Sequence, residues 1–338
     1  MKLRYSPYTL QLRHTFTLAS GSRTSTPAVL VEVEEDGIVG YGEASMPPYL
    51  AESQATAEAF LAGVNLSEAD PFCLERLLGG LDRLAPGNHA VKAAVSIALH
   101  DWLGKKIGLP WYRIWGLDPA NTPLSSMTIG IDTAENIRAR VKEAEGFPVL
   151  KIKLGTERDK EIVRTIREMT DVPLRVDINQ GWEDKEDALR MVEWLAASGV
   201  ELVEQPMRKD RLDDHAWLKE RSPIPIVADE SVVRLADIRN VQGAFTGINV
   251  KLMKCTGMRE AYQMILVAHG LGMKVMLGCM TETSCGISAA AQLSPMVDWT
   301  DLDGALLIAN DPFRGAAVRN GEITLPEGAG IGVERVVR

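Results

Sequence analysis

The sequence predicts an α/β fold in which an α+β segment precedes a parallel barrel of eight strands. Three observations carry this. Extended runs open the chain and helical patterns follow them, whereas from Ser125 short apolar runs alternate with amphipathic helical stretches. Eight strand candidates with seven helices between them imply parallel crossovers, and eight such strands close a barrel. The length of 338 residues also suits one barrel, which takes about 250 residues, with additions.

In order, residues 2–12 and 29–35 read as strands, the second closed by a turn at Asp36-Gly37. Helical patterns follow at 52–62, 71–78 and 90–103. The last carries Val91, Ala94, Val95, Ile97, Ala98 and Leu99 on one side. The repeat then places strands at 127–131, 149–153, 174–178, 200–204, 224–228, 247–251, 275–277 and 299–303. Helices are expected between them at 134–144, 160–169, 185–196, 214–220, 236–242, 259–269 and 286–293. After Asp311-Pro312 the alternation stops, and a tail without a helical pattern is free to return to the first segment.

Composition narrows the function. With 46% apolar and 25% charged residues the chain can build a large core. Its 37 basic and 46 acidic side chains give a net charge of -9, which argues against binding nucleic acid or an acidic membrane. Four cysteines without CxxC spacing fit neither a zinc site nor a disulfide framework and read as reduced, in a cytoplasmic protein. Residues 1–16 lack the apolar run of a signal peptide, and no stretch reaches 18 uninterrupted apolar residues. The expectation is an enzyme acting on a small molecule; a homo-oligomer stays open.

In such barrels the functional groups stand at the C-terminal ends of the strands. Here those ends carry Lys151 and Lys153, then Asp177, Glu204, Asp229, Lys251, and Asp301 with Asp303. From Lys153 to Lys251 the steps are 24, 27, 25 and 22 residues, each the length of one strand–helix unit, so closure brings them around one axis. An acid at a strand end often caps the next helix. Three in step, framed by lysines, call for another account. Asp177, Glu204 and Asp229 converging alone would repel, and a divalent cation resolves this; oxygen-only ligands with open positions suit magnesium. Lys153 and Lys251 fall on opposite sides of the barrel. Two amines so placed can take a proton from one face of a carbon and return it to the other, provided positive charge stabilises the anion formed.

The motifs stand as Lys151-Ile-Lys153, Val176-Asp-Ile-Asn-Gln-Gly-Trp182, Val203-Glu-Gln-Pro206, Ala228-Asp-Glu-Ser231 and Ile248-Asn-Val-Lys-Leu-Met-Lys254. Together they resemble the enolase superfamily in its muconate-lactonising subgroup, and within it the dipeptide epimerases of the L-Ala-D/L-Glu type. The resemblance spans the whole chain and implies a (β/α)7β TIM-type barrel at 119–311, an α+β capping domain at 1–118, and a return to the cap at 312–338. It implies Mg2+ on Asp177, Glu204 and Asp229, with Lys153 and Lys251 as the acid/base pair. Lys151 would neutralise the substrate carboxylate and tune Lys153. The reaction implied is a 1,1-proton transfer at the α-carbon of a dipeptide's C-terminal residue, through an enolate. Where many relatives carry Gly-Gly after the second lysine, this chain has Lys254-Cys255-Thr256-Gly257, which leaves Cys255-Thr256 in a loop expected to tolerate change.

The same resemblance gives Asp301-Leu-Asp303 the substrate's free ammonium group, which matches two carboxylates to three donors. Arg23 would hold the acidic side chain of the C-terminal residue, a bidentate guanidinium task. It lies in residues 16–25, whose Ser, Thr and Gly read as a mobile loop, with 46–50 completing a lid. An o-succinylbenzoate synthase or muconate-type cycloisomerase shares the metal and lysines but has little use for Asp301-x-Asp303. None of the five histidines ends a barrel strand, which argues against a sugar-acid dehydratase. Glu282 reads as a helix cap, with a supporting place behind the site as the alternative, and Gly328-Ala-Gly-Ile-Gly332 as a tight turn rather than a dinucleotide loop.

Overall fold

Alternating residues near the N-terminus build an antiparallel meander of β1 (Lys2–Leu18), β2 (Gly21–Glu35) and β3 (Ile38–Ser45). The computed structural model describes residues 1–19, 21–67 and 69–336. Helices α1 (Gln54–Ala62), α2 (Leu74–Leu84) and α3 (His89–Ile107) follow, then the single turn α4 (Trp111–Ile114). Glycine decides how α3 meets the sheet. A Cβ on Gly42 would stand 1.9 Å from the Ala94 carbonyl, and one on Gly40 2.1 Å from that of Ala98, so the helix lies directly on bare β3 backbone.

Two expectations for this region differ from what forms. The Ser/Thr-rich stretch expected as a mobile loop is instead the end of a hairpin, with Phe16 opposite Arg23 and Thr17 opposite Ser22. Threonine suits a pleated strand, and the ladder continues past a register irregularity between Gln11 and Phe16. Ser20, within that stretch, lies outside the described residues. Helix α2 runs on to Leu84 through Gly79-Gly80, because Leu77, Leu78 and Leu81 are buried in the cap core and outweigh the glycine cost. Helix α3 is buried on every side over 90–104, and its polar members are all bonded. Asp101, for example, accepts from Lys105 at 2.6 Å, Tyr41 N at 2.9 Å and Ile331 N at 3.0 Å.

The second part is a parallel sheet of eight strands: β4 (Met127–Ile129), β5 (Leu150–Lys153), β6 (Leu174–Asp177), β7 (Val200–Glu204), β8 (Ile226–Ala228), β9 (Gly247–Lys251), β10 (Lys274–Gly278) and β11 (Trp299–Asp301). They pair in sequence order, so every connection is a crossover. The connecting helices are α5 (Ala134–Glu143), α6 (Asp159–Arg167), α7 (Lys185–Ala197), α8 (Leu212–Arg221), α9 (Ile238–Val241), α10 (Met258–Gly270) and α11 (Ser284–Ala291). The barrel is nearly closed: its edge strands β4 and β11 meet through one parallel bridge, Ser125 to Thr300.

Strand alternation sorts the side chains. Leu150, Ile152, Val176 and Val203 face the helices and join the main core. Leu202, Val227 and Met276, with Trp299 against them, form a separate apolar plug inside the barrel. Two residues further along those strands stand Glu204, Asp229, Gly278 and Asp301, so a polar layer rests on the plug at the C-terminal mouth. The tail then lies against α3 and β2. Strand β12 (Phe313–Arg314) pairs with β15 (Glu334–Arg335), beyond the small ladder of β13 (Ala317–Arg319) and β14 (Glu322–Thr324). Arg335 ion-pairs with Glu32, and the 328–332 glycines form turns, Gly330 at φ 76° and Gly332 at φ 69°.

Candidate active site

The polar layer is a ring of interlocked charges. Register sets Lys153 beside Asp177 and Asp177 beside Glu204 on β5, β6 and β7, and Lys251 beside Gly278 and then Asp301 on β9, β10 and β11. Lys153 Nζ lies 2.6 Å from Asp177 Oδ2, and Lys251 Nζ 2.7 Å from Asp229 Oδ2. Lys151 Nζ sits among three acids, at 2.6 Å from Asp301, 2.7 Å from Glu204 and 3.6 Å from Asp177. Strands β5 and β9 are four places apart in an order of eight, so Lys153 and Lys251 approach the centre from opposite walls.

Asp177, Glu204 and Asp229 are buried, and one carboxylate oxygen from each lies within 4.8 Å of the others. This donor set fits a hard divalent cation: three carboxylates, no sulfur or nitrogen, and a Glu204 Oε2 that is an ion-pair neighbour of Lys151 but has no hydrogen-bond partner. Asn249 donates to Glu204 Oε1 at 2.8 Å, and Asn179 N–H to Asp177 Oδ1 at 2.9 Å, fixing the acids in place. A Cβ on Gly278 would lie 2.6 Å from Asn249 Oδ1, so glycine makes room for that amide.

Electrostatics divides the acids. Burial would raise Asp177 and Asp229, but Lys153 and Lys151 on one, and Lys251 and Lys254 on the other, hold both below the ordinary carboxylate range. Burial, and then the charge of Asp177, push Glu204 up to about 7. Burial works against charge on Lys151 and Lys251 too, yet Asp301 and Glu204 around the first and Asp229 around the second keep both well above the usual lysine value.

At the seam, Ser126 Oγ donates to Asp301 Oδ1 at 2.9 Å and Thr128 N–H to Asp303 Oδ2 at 2.6 Å. A cavity of about 220 Å³ opens over the ring, and Lys151, Lys153, Asp229, Lys251, Asp301 and Asp303 all line it. The cap reaches the same cavity through Phe16, Leu18, Arg23 and Tyr49. Arg23 Nε donates to Thr26 at 3.2 Å with its guanidinium over the Phe16 ring, and burial lowers its pKa. Every candidate site residue named from the sequence is therefore in or beside one cavity. Asp177 and Glu204 lie beneath it, beyond its lining.

Sequence reasoning missed Lys254. It is buried, and its amine reaches Asp229 Oδ1 at 2.5 Å, Asp229 O at 2.7 Å, and the carbonyls of Val232 and Asn249 at 3.0 Å. The signal was present in Lys251-x-x-Lys254, since a turn after β9 carries the second lysine back beneath the first. Glu230, beside Asp229, was also passed over; Asn179 donates to it at 3.3 Å, and burial with Asp229 next to it pushes its pKa to about 8. Glu282 is not the helix cap. Thr283 caps α11, and Glu43 from β3 accepts from Thr283 N and Gly286 N.

Two family descriptions cover this architecture. Residues 5–116 match the mandelate racemase / muconate lactonizing enzyme N-terminal domain, and residues 132–335 the enolase C-terminal domain-like family. The chain belongs to the mandelate racemase / muconate lactonizing enzyme family of the enolase superfamily. Among members of this family, it is 57% identical to an L-Ala-D/L-Glu epimerase of Bacteroides thetaiotaomicron, over 99% of this chain and 88% of that one. A dipeptide epimerase of Enterococcus faecalis, solved with Mg and L-Leu-L-Tyr, superposes with a TM-score of 0.91 at 32% identity, covering 99% of each chain. A substrate-liganded L-Ala-D/L-Glu epimerase of Bacillus subtilis gives a TM-score of 0.91 at 29% identity over 98% of each chain.

Proposed function

We propose that the chain is a magnesium-dependent dipeptide epimerase of the L-Ala-D/L-Glu type, inverting the α-carbon of the C-terminal residue. The observation that carries this is the meeting, in one cavity, of two opposed lysines over a carboxylate triad with a second pair of acids at the seam. The likeness at 57% identity to an L-Ala-D/L-Glu epimerase supports the substrate class.

Asp177, Glu204 and Asp229 are the residues that would hold Mg2+. When bound, the ion supplies positive charge at the substrate carboxylate and so lowers the cost of an enolate. Lys153 takes the α-proton from one stereoisomer and Lys251 delivers a proton to the opposite face; the reverse reaction exchanges their tasks. Lys151 adds positive charge near the substrate carboxylate, and Asp301 with Asp303 binds the free ammonium, which fixes the dipeptide's direction in the cavity. Arg23 meets the side-chain carboxylate, and the cap residues around it exclude water from the anion. In this reading the cap is 1–118, the catalytic barrel 119–311 and the return 312–338. The four free cysteines support a cytoplasmic location, and among the described residues no helix is long and apolar enough to cross a membrane.

A dipeptide library incubated in heavy water with magnesium and read by mass shift tests the proposal. L-Ala-L-Glu and L-Ala-D-Glu should each gain one deuterium at the C-terminal residue's α-carbon. No exchange in any dipeptide with a free amine overturns it.

A further inference from the structure

Behind the cavity wall lie two carboxyl groups that the reaction does not use. Glu43 on β3 of the cap and Glu282 between β10 and α11 of the barrel are 0% and 1% exposed. Glu43 accepts from Thr283 N–H at 2.9 Å, Gly286 N–H at 3.1 Å and the Thr283 hydroxyl. Glu282 Oε1 accepts from Met280 N–H at 2.7 Å, while its Oε2 is buried without a hydrogen-bond partner. Gly286 lets the two approach: a Cβ there would stand 2.3 Å from Glu282 Oε2 and 3.2 Å from Glu43 Oε2, so both oxygens press on one bare Cα.

The segment between them is where cap and barrel join. Ser45 donates to the Thr281 carbonyl at 2.6 Å, and the Thr26 and Thr281 hydroxyls are 2.8 Å apart. Met280 and Thr281 line the active cavity, and Thr26 also receives Arg23. The charged and titratable groups facing the pair are few. Asp311 acts on Glu43, Lys251 acts on Glu282 from β9, and the thiols of Cys279 and Cys285 lie on either side. Lys251 is the one cation among them, and its amine is bonded to Asp229 at 2.7 Å. Burial and a like charge nearby disfavour the charged form of Glu282.

We propose that Glu282 keeps its proton beside the Glu43 carboxylate and that the two act as a positioning pair, the protonated form holding the Met280–Thr283 wall and seating the cap on the barrel. Burial, then the neighbouring Glu43, push Glu282 to about 8, so its proton stays through neutral pH and leaves on the alkaline side. Loss of that proton sets two negative charges against each other across the junction and loosens the wall.

The experiment has a catalytic arm, which rests on the epimerase reading, and a stability arm, which does not. In the first, kcat/KM for L-Ala-L-Glu is measured from pH 6 to 9.5. E282A is expected to lose about tenfold or more at every pH, as a misplaced wall does. E282Q, a neutral stand-in for the protonated acid, is expected to recover most of that loss at pH 6.5. Its alkaline decline should move up by about one pH unit, the shift that marks loss of a titrating group. An E282Q profile that superimposes on the wild type overturns the proposal. In the second arm, Tm is followed against pH. A carboxyl with a raised folded-state pKa binds its proton more tightly folded than unfolded, so its contribution is full below the unfolded value near 4.5 and is lost as pH rises toward about 8. Wild-type Tm should therefore fall across pH 5 to 8 more steeply than that of E282Q; equal slopes overturn the pair. Wild-type chain with no turnover and unequal slopes would sink the epimerase reading alone.

Discussion

Lys254→Met removes a buried ammonium while keeping a side chain of similar length, and the structure gives the size of the effect. The amine serves four oxygens within 3.0 Å: both Asp229 acceptors and the Val232 and Asn249 carbonyls. All four lose their partner in a place where Lys254 itself is 5% exposed and Asp229 3%. Removing one member of a buried pair costs about 3–5 kcal/mol. Asp229 keeps Lys251 at 2.7 Å, which places the expected loss at the lower end of that range. With about 2.1 cal/mol/K of unfolding entropy per residue, a chain of 338 residues shifts by roughly 1.4 °C per kcal/mol, so Tm should fall by about 4 °C. Calorimetry in the presence of a chelator reads the protein's own stability without ligand stabilisation. A double-mutant cycle with Asp229→Asn then isolates the pair. If Lys254 acts through Asp229, the second substitution should cost much less in the Asn background. A Tm within about 1 °C of wild type for Lys254→Met would refute the reasoning, because a loss near 3 kcal/mol cannot produce so small a shift.

Two further substitutions separate the roles around the ring. Lys153→Ala should lower α-deuterium exchange from one stereoisomer by at least about a hundredfold while the other still exchanges through Lys251; equal retention from both isomers removes Lys153 from the acid/base pair. Asp303→Asn keeps the oxygen that accepts from Thr128 N–H and leaves the Lys151–Asp301 contact in place. It should raise KM for a dipeptide by about tenfold to a hundredfold, with kcat changed far less, as expected for one charge-assisted contact to an ammonium; an unchanged KM denies Asp303 that role.

The barrel was legible because its strands obey two periods at once. Lys151-Ile-Lys153 shows the alternation on a single strand, lysine inward and isoleucine to the helices. The step of about one strand–helix unit between successive acids then shows the rotation around the axis. Together these two periods bring Lys153, Asp177, Glu204, Asp229 and Lys251 to the same level without any structural information. What they do not report is contact outside the repeat. Cys255 looked like part of a tolerant loop and Lys254 before it was given no role, yet both are buried, because the turn after β9 folds under Asp229 and not out to solvent. The hairpin at 16–25 was misread for a similar reason: composition marks Ser, Thr and Gly as loop formers, but the strand partner across the ladder decides. Glu43 and Glu282 are 239 positions apart, and no local pattern links a cap strand to a barrel helix terminus.

Charge balance ties the site together. Six carboxyl groups gather at the mouth (Asp177, Glu204, Asp229, Glu230, Asp301 and Asp303), against four amines from Lys151, Lys153, Lys251 and Lys254. Each amine bonds to Asp177, Asp229 or Asp301, the three held below the ordinary range, and Lys151 also lies 2.7 Å from Glu204. The remaining three are pushed up: Glu204 to about 7, Glu230 to about 8 and Asp303 to about 7, with burial the first cause in each. A network built only for stability would close this surplus with internal partners, since an unpaired buried acid is costly. Here the surplus is divided between two places, one in the triad with Glu230 beside it and one at the seam. A divalent cation at the first and an ammonium at the second are the two ligands that the proposed substrate and cofactor bring. The excess of acid over amine at these two places thus marks where positive charge from outside is to be bound.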